Sequence, residues 1–258
     1  MAFWSGCARL LTRVKRPPPG IDAKLIRMAG SSMASPRGLQ IYRELVANSY
    51  RWRFPDADPV WDEYALRARY VGVHHLKDAI AEGRGVVCVG AHFGPFQALP
   101  RNLRTLDVLG TVPLAMYRKG SRGGDFRLLL EVKRAVEGGG VGYIVADDDS
   151  RWIGRAEPCE LFGEPVHLAT GFAQLAAKTR AVVVPSFILD HGGQAEVRFL
   201  PPLAQETGPG GGCTRTLVQS YVSVLEQMLR NHPGNAVEWG LGDRFERLNT
   251  FAASPVED

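Results

Sequence analysis

The chain has 258 residues, room for one large domain or two small ones, and its 45% hydrophobic and 22% charged residues exclude a disordered or fibrous protein. No 18-residue apolar run exists, which excludes a conventional transmembrane helix. The net charge of +4 is uneven: residues 1–53 carry ten basic side chains against Asp22 and Glu44, a local +8 that leaves −4 for the rest. A basic end on an acidic body suits a negative partner, either lipid headgroups or nucleic acid.

Met1–Arg16 reads as a short amphipathic helix. Trp4, Cys7, Leu11 and Val14 recur at helical spacing, Arg9, Arg13 and Arg16 form a second stripe, and Pro17-Pro18-Pro19-Gly20 stops it. This is the pattern of an interfacial membrane anchor, and equally that of a helix packed on its own domain. No continuous apolar core marks a secretory signal. Residues 38–53 read as a helix, and 60–82 as another helical stretch ending near Gly83-Arg84-Gly85. Val86–Gly90 is an apolar run bounded by glycine, the signature of a buried strand.

The alternation continues with a helix over 96–107, a strand over 111–117, a helix over 125–137 and a strand over 141–146. Then come a helix over 171–180, strands over 181–189 and 196–200 around a His191-Gly192-Gly193 turn, and a helix over 216–231. Strand–helix alternation predicts an α/β fold, with a mostly parallel central sheet flanked by helices and an N-terminal helical cap.

Cys7, Cys88, Cys159 and Cys213 form no C-x-x-C pair, so no zinc or thioredoxin-like motif is indicated and free thiols in a reducing cytoplasm are expected. The sequence has no G-x-S-x-G, H-E-x-x-H or Walker A motif. Gly138-Gly139-Gly140-Val141-Gly142 follows a helix and precedes a strand, the reverse of a dinucleotide fingerprint. The basic segment carries no nucleic-acid-binding signature. One histidine stands out: His92 lies just past the carboxyl end of the first core strand, between Gly90 and Gly94. Ligands bind there in parallel sheets, and a histidine can act there as a general base.

The stretch Tyr70–Leu99 (YVGVHHLKDAIAEGRGVVCVGAHFGPFQAL), followed in order by Met116-Tyr117-Arg118, Asp147-Asp148-Asp149, Leu161-Phe162-Gly163-Glu164-Pro165, Thr170-Gly171, Ala176–Pro185 and Val224–Trp239, resembles the bacterial lipid A biosynthesis lauroyl/myristoyl acyltransferase family. The phosphatidylinositol mannoside acyltransferases are part of that resemblance. It implies a lysophospholipid acyltransferase-like fold over a single domain, 1–258: an amphipathic helix at 1–20, a helical cap at 21–83 and an α/β core at 84–245.

The resemblance also implies transfer of a fatty acyl group from acyl carrier protein or coenzyme A to a hydroxyl or amine of a lipid, glycolipid or specialised metabolite. It implies no metal and no cofactor beyond the thioester co-substrate, and no nucleic acid partner. The implied location is cytoplasmic, peripheral on the inner face of the cell membrane, held by the basic N-terminal helix. His92 would be the base.

The family's acid, five residues on, is Gln97 here, which can hold the imidazole but cannot stabilise its charge. Gln97 suffices, or another acid takes over, with Glu164 the first choice and Asp147 the second. Otherwise the chain is a lipid- or partner-binding relative without catalysis. Arg118, Gly94, Asp147 and Phe162 are the expected substrate-binding residues.

Overall fold

The computed structural model describes residues 17–52, 63–106, 113–116, 125–147, 156–204 and 212–250. The expected helix at 1–16 lies outside them, as do Arg118, Asp148 and Asp149. The fold is mixed α/β, built on a six-stranded sheet in the order β1(Arg69–Val71), β8(Ala195–Phe199), β7(Val182–Asp190), β2(Val86–Gly90), β4(Val141–Val145), β3(Leu114–Met116). Every pairing is parallel except β7 with β8, which are joined by the tight turn at His191–Gly193.

The central strand β2 is buried at all five residues. Val87 and Val89 enter one apolar cluster, Val86 and Cys88 the other, on opposite sides of the sheet. A strand covered on both faces must be apolar at every position, which is why the sequence shows a run there rather than an alternation.

Helices close both faces. Behind Val87 and Val89 lie α6(Gly171–Thr179) and α7(Gly212–Asn231), with Phe172, Tyr221 and Leu225 fully buried. On the other face sit α3(Val73–Ala81) and α4(Leu99–Arg104), through Leu76, Leu99 and Leu103. The helix α5(Asp125–Glu137) packs Val132 and Val136 into the first cluster.

The N-terminal helices α1(Ile21–Ala29) and α2(Pro36–Arg51) complete that cluster with Leu25, Met28, Ile41 and Leu45. Ser35 caps α2 by accepting from the Gly38 N–H at 3.0 Å, with Pro36 at the first helical position. The helix then runs along the C-terminal segment, where the Asn48 side chain donates to the Gly234 carbonyl at 2.8 Å.

Two features differ from the sequence expectation. The stretch at 60–82 is not one helix: residues 63–66 are helical, β1 follows, and α3 starts after Gly72. Gly72 turns the chain at φ 72°, and a Cβ there would lie 2.1 Å from the Phe199 carbonyl oxygen, so the backbone can pass β8 only as glycine. The second is an antiparallel hairpin, β5(Ala156–Leu161) and β6(Glu164–Ala169), separate from the main sheet. Its two-residue turn is Phe162-Gly163, at φ 56° and 77°, the positive values that a tight hairpin turn demands.

Candidate active site

His92 and Asp147 meet because β2 and β4 are parallel and in register. Gly90 pairs with Val145, and the Ala146 N–H donates to the Gly90 carbonyl at 2.9 Å. Two residues beyond that pair, each chain places its polar side chain at the carboxyl edge of the sheet. The His92 ring Nδ1 lies 3.0 Å from Asp147 Oδ1, and the His92 backbone N–H donates to the same oxygen at 2.9 Å.

Asp147 is fully buried and the His92 side chain is 17% exposed. Burial alone would raise the Asp147 carboxyl. The charge on His92, its ring hydrogen bond, the Arg244 guanidinium and the His92 backbone N–H together outweigh burial and hold the carboxyl below its ordinary value. An ionised carboxylate only accepts, so Nδ1 carries a ring proton, and in the neutral form of the ring the lone pair is on Nε2.

Arg244 comes from the far end of the chain, after the short α8(Val237–Gly240), at the start of α9(Arg244–Thr250). Its guanidinium donates to the Asp147 backbone carbonyl at 2.8 Å, and its Nε stands 3.7 Å from Oδ2. Tyr143 of β4 and Tyr221 of α7 flank the same group, and the Tyr221 hydroxyl donates to the Gly90 carbonyl at 2.6 Å. Burial first, then Asp147, raise both phenols, so they stay neutral.

A cavity of about 270 Å³ opens over His92. Its apolar wall is Trp52, Phe96, Val237 and Leu241; its polar lining includes Ser49, Gln97 and Glu238. The Phe96 ring packs edge-on to the imidazole, 4.4 Å between centroids. The Trp52 indole N–H donates to the buried Asp190 carboxylate at 3.1 Å, and Arg51 pairs with the same carboxylate at 2.7 Å, which fixes the indole in the wall. Functional pockets for small ligands run to roughly 300–1,000 Å³, so this one is small for a whole lipid.

The other expected residues fall as follows. Gln97 is exposed and lines this cavity; the hydrogen bond to the ring that the sequence assigned to it is made by Asp147. The cause is local: Phe96–Ala98 form a 3-10 turn, and Gln97 faces outward from it.

Gly94 lines the cavity at φ 63°, with its N–H bound to the Asn235 carbonyl at 2.9 Å. Glu164 opens β6, where its half-exposed carboxylate pairs with Arg27 at 3.5 Å. Among the described residues the carboxylate bonded to the His92 ring is therefore Asp147, not Glu164. Phe162 sits at the hairpin turn with Arg230 over its ring at 4.7 Å and Phe245 at 5.9 Å between centroids.

Sequence reading did not single out Trp52, Glu238 or Arg244. Arg244 and Glu238 carry no local pattern that separates them from other surface charges, and their place depends on the C-terminal segment folding back over the sheet edge.

Residues 114–236 match the family model of the bacterial lipid A biosynthesis acyltransferases. The family resemblance is thereby shown over that stretch, and the family is one of acyltransferases acting on lipid, which supports an enzyme of lipid biosynthesis of bacterial type. Asp147 lies inside the matched residues, His92 before them and Arg244 after them. No curated protein matches the chain. No helix among the described residues is long and apolar enough to cross a membrane.

Proposed function

We propose that this chain is an acyltransferase with a lysophospholipid acyltransferase-like fold, using His92 as its general base and Asp147 as the acid that orients it. The observation that carries the reading is the hydrogen bond between a cavity-lining histidine and a buried, ionised aspartate at adjacent strand ends. The donor is an acyl thioester of acyl carrier protein or coenzyme A. The acceptor is a lipid, glycolipid or specialised-metabolite hydroxyl or amine.

His92 Nε2 takes the acceptor proton as the acceptor oxygen or nitrogen attacks the thioester carbonyl. The Asp147 carboxylate stabilises the imidazolium that forms. Collapse of the tetrahedral intermediate breaks the C–S bond, and the imidazolium returns its proton to the departing thiolate. The new ester or amide and a free thiol balance the reaction. Gln97, at the cavity mouth, contacts substrate instead of the ring.

The enzyme works at the inner membrane face, held there by Arg9, Arg13 and Arg16, at about 1 kcal/mol for each basic side chain near an anionic bilayer.

Thiol release from palmitoyl-CoA and from acyl carrier protein thioesters, with lipid extracts as acceptor, tests this. His92→Ala should abolish turnover, and Asp147→Asn should lower kcat by roughly 10³–10⁴-fold, as loss of an orienting acid does in a triad. Turnover that survives His92→Ala overturns the base assignment. A folded protein that consumes no thioester favours a lipid- or partner-binding role.

A further inference from the structure

We propose that Arg244 is a positioning residue of this site: it keeps the buried Asp147 carboxylate charged and aimed, so that His92 stays protonated on Nδ1 and basic on Nε2. The inference rests on the acyl-transfer reading above and adds a third member to its machinery. The two oxygens of Asp147 are divided between two partners. Oδ1 accepts both His92 bonds. Oδ2 faces the Arg244 Nε at 3.7 Å, and both atoms are buried with no hydrogen bond of their own among the described residues, while the same guanidinium is tied to the Asp147 carbonyl at 2.8 Å.

The need for such a charge follows from the chemistry. Before reaction the base must be neutral, so His92 then offers Asp147 no positive charge. Among the described residues, the other groups facing the carboxylate, Tyr143 from β4 and Tyr221 from α7, are neutral phenols. A carboxylate buried without a counter-charge costs several kcal/mol. It would relieve that cost by binding a proton from solvent and donating it to Nδ1, and the neutral imidazole would then carry its one proton on Nε2 and be no base.

Arg244 is the permanent cation that prevents this exchange. Its own helix does not account for it: it stands in the first turn of α9, where the helix dipole disfavours a cation, and the adjacent Asp243 carboxylate is exposed and bonded to Arg247. It is buried, at 8% exposure, and is not among the residues lining the cavity.

The test compares Arg244→Gln and Arg244→Lys with the wild-type chain. Arg244→Gln should lower kcat roughly ten- to a hundredfold with KM unchanged, move the acid limb of the pH–kcat profile to higher pH, and raise the titration of the Asp147 carboxyl followed by carbon-13 NMR. Arg244→Lys should recover most of the rate. Adding Arg244→Gln to Asp147→Asn should cost nothing further, since the residue acts through the carboxylate.

A folded Arg244→Gln chain with an unmoved Asp147 titration overturns the proposal, as does an equal loss in the Asp147→Asn background. If Arg244→Gln alone does not fold, Asp147→Asn should restore the fold, and failure to do so also overturns it. The carboxyl titration needs no turnover. A chain without thioester activity but with a shifted Asp147 therefore sinks the acyl-transfer reading and leaves the ion relay standing.

Discussion

At the scale of single residues, the site depends on small departures from ordinary backbone as much as on its polar groups. Gly94 is the clearest case. Its φ of 63° disfavours any side chain, and a Cβ would sit 1.8 Å from the Ile188 carbonyl oxygen of β7. Gly94→Ala therefore combines a left-handed penalty of about 1–2 kcal/mol with overpacking of about 1–3 kcal/mol, so about 3 kcal/mol of stability should be lost. Urea unfolding measures it, and a loss below about 1 kcal/mol would show that the β7 backbone gives way easily.

Such residues also explain what was legible in advance. His92 was readable because a polar ring just past an apolar strand is conspicuous in one sequence. Asp147 was readable only as one of two acids, because local pattern does not say which strand lies beside β2. Arg244 was not readable at all, since its meaning comes from a contact across 97 positions of chain.

At the scale of elements, segments with a strong apolar pattern were legible, and short or charge-interrupted strands that depend on their partner were not. Helix α5 falls where the apolar spacing puts it, at Asp125–Glu137. The three residues of β1 are a strand only because β8 lies beside them. The β5–β6 hairpin was missed because charged residues such as the half-buried Glu157 and the exposed Glu160 interrupt its apolar pattern.

That hairpin also decides how Phe162 should behave. Its ring lies against Arg230 and Phe245, at the turn, so Phe162→Ala should remove about 2 kcal/mol of stability through lost ring contacts. KM for the thioester should stay near the wild-type value. A raised KM with unchanged stability would instead put the ring at the substrate.

At the scale of the whole molecule, two buried carboxylates on different parts of the sheet link its stability to acid. Asp147 stands beyond β4. Glu196, on β8, bonds to Arg69 and Arg198. Burial would raise both, and the cationic partners overcome it, so each folded-state value lies below the ordinary 3.8 of Asp and 4.5 of Glu.

A depressed carboxylate stabilises the fold fully above its ordinary value and loses that contribution as pH falls towards the folded-state value. The urea midpoint should thus hold steady above about pH 5 and fall below about pH 4, with Asp147→Asn flattening part of the decline. A midpoint that stays level down to about pH 3 would show that neither carboxylate is held as described.

The in-register pairing of β2 with β4 has one more consequence. His92 and Asp147 are 55 positions apart in the chain, yet their separation is governed by a single interstrand gap of about 4.8 Å. The intervening helices and loops can lengthen, shorten or change composition without moving that hydrogen bond, provided both strands keep their count. The geometry of the pair is thus inherited from the weave of the sheet, while the surroundings of the cavity are free to drift in everything threaded between.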